Sequence, residues 1–188
     1  MKYLMVLVMS LTAVFAGDLN IKGDVTINGK KANSSMKVNL NDFITTGKKS
    51  KVTFKIGKNA FMAKENTRFS IENNNGAKSL KVITGGVLAV FKKGEKYKLQ
   101  TKNMTAGIRG TGVYMERRDG KSYFCTCYGE TNVQSHKDHK ILQATHHNMI
   151  WAKEDGTIKV AKHMRNHSDE ELRELESLVG RVPAFDRK

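Results

Sequence analysis

The sequence predicts an all-β domain of short strands, followed by one short C-terminal α-helix. Three observations carry that expectation. Between Leu19 and Val133, Gly and Asn punctuate the chain roughly every ten residues, and the runs between them are rich in Val, Ile, Phe, Tyr and Thr. Lys51-Val52-Thr53-Phe54-Lys55-Ile56 alternates polar and apolar residues, the period of a half-buried strand. The one convincing helical stripe lies near the C-terminus.

The chain begins with an address. Met1-Lys2 precedes an apolar run, Tyr3 to Ala16, that turns polar at Gly17-Asp18. This is the layout of a secretory signal peptide over residues 1–16, with Val14 and Ala16 at the positions the peptidase reads. The run of about 14 residues falls short of the roughly 18 to 20 needed to span a bilayer. The mature chain is therefore expected to start at Gly17, in the periplasm and not membrane-spanning.

The strands follow in order. Asp24-Val25-Thr26-Ile27 closes on Asn28-Gly29, the pair that favours a type I′ hairpin turn. Later runs are Lys51–Ile56, Thr67–Ile71, Leu80–Ile83, Gly86–Phe91, Tyr97–Gln100, Gly112–Met115 and Tyr123–Tyr128. The helix is expected over about residues 168–179. Ser168-Asp169-Glu170-Glu171 reads as a capping box. Leu172, Leu175, Leu178 and Val179 form its apolar stripe, and Gly180 and Pro183 end it.

Composition narrows the function classes. The 188 residues carry 33 Lys plus Arg against 18 Asp plus Glu, a net +15, with 39% hydrophobic residues. That balance excludes a polytopic membrane protein and wholesale disorder. Charge is uneven: 18 basic and 5 acidic residues lie between Lys22 and Lys102, but 14 and 12 between Asn103 and Lys188. A lysine-faced β domain repels edge-to-edge aggregation and attracts an acidic envelope protein or surface. Nucleic acid is not the expected partner, because export removes it and interleaved stacking aromatics are absent.

Thr105-Ala106-Gly107-Ile108-Arg109-Gly110-Thr111-Gly112-Val113 resembles the signature region of the FecR domain family. Gly23–Gly29, Leu40–Gly47, Gly85–Val90 and Phe124–Val133 resemble, in order, further segments of that family. The resemblance implies a FecR-like β domain over residues 17–135, with a His-containing tail over 136–188. It also implies short strands wound in a solenoid-like or roll arrangement and a role in envelope signalling. Family members with an anti-sigma role carry a cytoplasmic segment and a membrane helix, which this chain is expected to lack. A stand-alone exported module is the reading that remains. The glycines around Arg109 allow tight turning, so Ile108-Arg109-Gly110-Thr111 reads as a structural corner, with a ligand site as the alternative.

Two cysteines make no disulfide framework. On an extended strand Cys125 and Cys127 share one face, their Cα atoms about 6.7 Å apart, at the upper limit for a disulfide. All six histidines lie between His136 and His167. Cys125, Cys127, His146, His147 and His167 are the candidate metal ligands, and thiolates with imidazoles suit Cu or Zn. The alternatives are a redox-active thiol pair, or buried thiols with the histidines in a surface tail. An enzyme is not expected: no G-x-S-x-G elbow, phosphate-cradling loop or H-E-x-x-H motif occurs. The sequence thus points to a non-catalytic exported binding or signalling module, with a periplasmic metal-binding or thiol-redox protein as the alternative.

Overall fold

The computed structural model describes residues 19–187; the expected signal peptide lies outside the described residues. The first strands are β1 (Leu19–Lys22), β2 (Val25–Ile27), β3 (Lys30–Lys31), β4 (Phe43–Thr46) and β5 (Lys51–Ile56). Next come β6 (Asn59–Ala63), β7 (Arg68–Asn74), β8 (Ala77–Val90), β9 (Lys96–Gln100) and β10 (Thr105–Arg109). The last are β11 (Gly112–Arg118), β12 (Lys121–Gln134), β13 (His139–Ala144), β14 (Asn148–Ala152) and β15 (Ile158–Val160). Helix α1 (Asp169–Leu178) and a 3-10 turn at Ala184–Asp186 complete the described chain. The all-β class and the single C-terminal α-helix agree with expectation. Asn28 and Gly29 take positive φ and join β2 to β3 as the hairpin signal implied.

The expected solenoid or roll does not form. Pairing runs from β8 to β11, β12, β10 and β9 and returns to β8, closing five strands into a barrel. A solenoid stacks repeats only on their neighbours and does not close. Among the described residues, every pairing is antiparallel except that of β8 with β9. Closure depends on β8 and β12, each 14 residues long and each shared between two sheets. One sheet runs β1-β5-β6-β8-β11-β12-β14-β15, and the other runs β3-β2-β4-β7-β8-β9-β10-β12-β13. Gly85 (φ 77°) and Gly129 (φ 90°) sit where these long strands pass from one sheet to the other. A corner strand needs such backbone freedom. From sequence these glycines read as breaks between strands.

The first sheet is buried on both faces. Its inner face adds Phe54, Phe61, Val87, Ala89, Val113, Met115 and Phe124 to the main core. Its outer face presents Met62, Leu88, Tyr114, Tyr123, Cys125 and Cys127, which pack under Leu172 and Leu175 of α1. The helix is capped as expected: the Glu171 amide donates to the Ser168 hydroxyl and the Glu171 carboxylate accepts from the Ser168 amide. Residues 139–160, expected as a tail, instead add β13, β14 and β15 to the sheets.

Candidate metal centre

The site begins at an irregularity in β12. Val113 pairs with Thr126 and Gly112 with Tyr128, so Cys127 is the extra residue of a β-bulge. The bulge leaves Cys125, Cys127 and Tyr128 all within the outer layer, with the Cys125 and Cys127 sulfurs 3.8 Å apart. Both are free thiols and fully buried.

The turn between β13 and β14 folds over this bulge. The His147 amide donates to the Cys127 carbonyl (2.9 Å), and His147 takes φ 53°. That conformation sets His147 Nδ1 3.3 Å from Cys125 Sγ. Its other nitrogen, Nε2, lies 2.8 Å from Asp169 Oδ1 at the start of α1. A carboxylate on Nε2–H fixes the ring tautomer and leaves the Nδ1 lone pair facing the sulfur.

His167 arrives from the opposite side, one residue before the helix cap. Its Nδ1 lies 2.6 Å from the Arg165 carbonyl, so Nδ1 carries the proton and Nε2 the lone pair. That Nε2 is buried without a partner. The ring stacks on Tyr114 with centroids 4.6 Å apart. Upstream, Asn166 takes φ 53° and donates through Nδ2 to both carboxylate oxygens of buried Glu116 (3.0 and 2.8 Å). Glu116 also accepts from Arg118 Nε and Tyr114 Oη, so it anchors the loop that presents His167.

Ligand atoms of Cys125, Cys127, His147 and His167 all lie within 4.8 Å of one another. His146, the fifth residue expected from sequence, points outward and meets Asp169 Oδ2 through Nε2 at 2.8 Å. His136, His139 and His163 are exposed. Sequence reasoning missed Asp169, which read only as an acidic residue in the first turn of a helix. Arg109 ends β10 as an exposed side chain, and a Cβ at Gly110 would lie 2.4 Å from Lys93 Cα; this stretch is a close-packed corner.

The electrostatics match the geometry. Burial opposes ionisation of Cys125, but the Cys127 thiol and the imidazoles of His147 and His167 around it outweigh that and lower its pKa to about 4. Burial, reinforced by the neighbouring Cys125, holds the Cys127 thiol well above its ordinary range. Burial opposes charging of His147, yet Cys125 and Asp169 together raise its pKa. Cys125, His147 and Asp169 thus line up as thiol, imidazole and carboxylate. A nucleophile needs access to substrate, and Cys125 has no exposed surface. A cavity of about 630 Å³ lies beside Asn20, Met36, Thr53 and Leu178 and is lined by no thiol or imidazole.

The family model described as "FecR protein" matches residues 42–134. A crystal structure of a candidate anti-sigma factor from Parabacteroides distasonis ATCC 8503 superposes with a TM-score of 0.59 at 10% identity. That match covers 70% of this chain and 64% of the other, so the chain spans under two thirds of its relative. A second structure of the same description and organism gives a TM-score of 0.43 at 11% identity, covering 74% and 60%. No curated protein matches the chain. At such identities the structural likeness is one of fold. No helix among the described residues is long and apolar enough to cross a membrane.

Proposed function

We propose that this FecR-like domain is an exported, non-catalytic signalling module of the cell envelope that holds one transition-metal ion on Cys125, Cys127, His147 and His167. The observation that carries this reading is the convergence of four donors, one of them the buried, unpartnered Nε2 of His167. A buried polar atom without a partner is costly, and a metal ion would satisfy it. With Zn–S bonds of about 2.3 Å and tetrahedral angles, two ligating sulfurs stand about 3.8 Å apart. Cys125 and Cys127 have that separation.

Two thiolates and two imidazoles in a closed set favour Zn²⁺, with Cu(I) the competing soft ion. Asp169 would serve as the outer carboxylate that orients His147. The ion would tie the bulge of β12 to His167, the residue before the Ser168 cap of α1, so the helix that covers the outer sheet face would be held by metal as well as by packing. The likeness to an anti-sigma factor, with no enzyme motif in the chain, argues against catalysis. A periplasmic location follows from residues 1–16, and the basic β domain suits an acidic envelope protein or surface as partner.

Elemental analysis of protein purified from the periplasm tests the reading. One equivalent of Zn or Cu per chain is expected, falling to none in Cys125→Ser/Cys127→Ser. A wild-type protein that takes up neither ion at micromolar concentration would overturn it.

A further inference from the structure

We propose that His146 and Asp169 form an outer capture point where a divalent cation lands before passing to the buried Cys₂His₂ set. The inference rests on the metal reading above and adds a route and an order of events to it. Three of the four buried donors are sealed: Cys125 and Cys127 are fully buried and His167 is 7% exposed. The His147 side chain is 9% exposed, whereas those of Asp169 and His146 are 25% and 51% exposed. An ion arriving from solvent therefore meets His146 and Asp169 first.

His146, His147 and Asp169 are themselves a ligand group, with donor atoms within 4.8 Å of one another. His147 belongs to both groups, presenting Nε2 to the outer one and Nδ1 to the inner one. A solvent-open cavity of about 560 Å³ lies in front, lined by Thr145, His146, Asp169, Arg173 and Phe185. Arg173 lines it with its charge engaged, bonded through Nε and Nη2 to the Asp186 carboxylate (2.7 and 3.0 Å). The Phe185 ring lies tilted against His146, with centroids 4.7 Å apart. The location is apt on charge grounds. A chain of net +15 disfavours an approaching cation, but this mouth sits at the first turn of α1, where Asp169, Glu170 and Glu171 gather.

The sequence of events follows from the shared groups. An ion on His146 Nε2 and Asp169 displaces the Nε2 proton to solvent, the ring taking one up on Nδ1, and occupies the carboxylate that holds His147. Once His147 is released its ring can turn, exposing Cys125 Sγ behind it. With the ion seated inside, Asp169 returns to His147 Nε2–H. No bond to carbon forms or breaks; the cysteine thiols enter as thiolates and their protons leave to solvent.

Stopped-flow mixing of metal-free protein with Co²⁺ alone tests this, read by the thiolate-to-cobalt charge-transfer absorption. His146→Ala alters an exposed side chain and leaves the four inner donors in place. Loading and chelator-driven release are both expected to slow by about tenfold, leaving the equilibrium affinity unchanged. A step on the route must slow both directions alike. Unchanged rates would overturn the proposal, and so would faster release with weakened affinity, which would make His146 a ligand of the final site. A wild type that develops no charge-transfer absorption would instead bring down the metal reading itself.

Discussion

The two faces of the first sheet are equally buried and chemically opposite. Phe124 and Cys125 are neighbours on β12, and neither has exposed surface. Phe124 joins an inner layer of aliphatic and aromatic side chains. Cys125 joins an outer layer of tyrosines and thiols covered by a helix that contributes Glu176 and begins at Asp169. The inner layer needs only shape to be stable. The outer layer needs partners, because each polar group there has left water. Tyr128 donates to Glu176 and Tyr114 to Glu116. His167 Nε2 and Tyr123 Oη are left over in the same layer. Burial alone therefore does not separate core from site; the convergence of ligand atoms from Cys125, Cys127, His147 and His167 does.

The largest expected effect sharpens this contrast. Phe61 is fully buried in the inner layer, stacked on Phe54 (5.4 Å) and edge-on to Phe91 (5.7 Å). Phe61→Ala should cost about 3–5 kcal/mol in denaturant titration while leaving the metal stoichiometry of the folded protein unchanged. Next comes the metal. At a free concentration of about 1,000 times Kd, a bound ion adds about 4 kcal/mol of stability. Thermal melts with and without a chelator should show that difference in the wild type and lose it in Cys125→Ser/Cys127→Ser. If chelation leaves the wild-type melt unmoved, the outer layer is a second core and the contrast breaks.

How far each layer could be read from sequence follows from the same physics. Strand alternation and the Ser168 capping box are local, and both survive in the fold. Closure is not local: it depends on β8 and β12 each pairing in two sheets through bends at Gly85 and Gly129, and glycines look alike at a bend and at a break. Strands β13 and β15 escaped notice because exposed His139, Gln143 and Lys159 surround the few buried apolar residues, Leu142 and Ile158, and β14 because its five residues lie between polar turns. The site was half legible. Two thiols at i and i+2 on a strand must share a face, so Cys125 and Cys127 declared themselves. His146 and His147 are adjacent, and only the positive φ of His147 decides which one turns inward. Asp169 was hidden by a second, sufficient explanation at the helix start.

A smaller effect separates orienting from ligating groups. Asp169→Asn keeps the shape but weakens the acceptor on His147 Nε2–H. It should lower metal affinity by about 10- to 100-fold by competition titration, the usual range for a lost outer carboxylate. Affinity equal to wild type would detach α1 from the site.

The smallest effect tests whether the helix cap and the metal act on one another. Ser168 lies between His167 and Asp169, so one residue bonds the helix start while its neighbours face the ion. Ser168→Ala removes the acceptor for the Glu171 amide and should cost about 1 kcal/mol. In the metal-free protein that loss falls on α1 alone. In the metal-bound protein His167 and Asp169 are held from the other side, so part of the loosening is resisted. Linkage then requires the difference to reappear as a change in affinity. Ser168→Ala should therefore bind metal more tightly, by the same free energy that separates its destabilisation with and without metal. Equal destabilisation in both states, with affinity unchanged, would mean that the cap belongs to the helix and the ion only to the sheet.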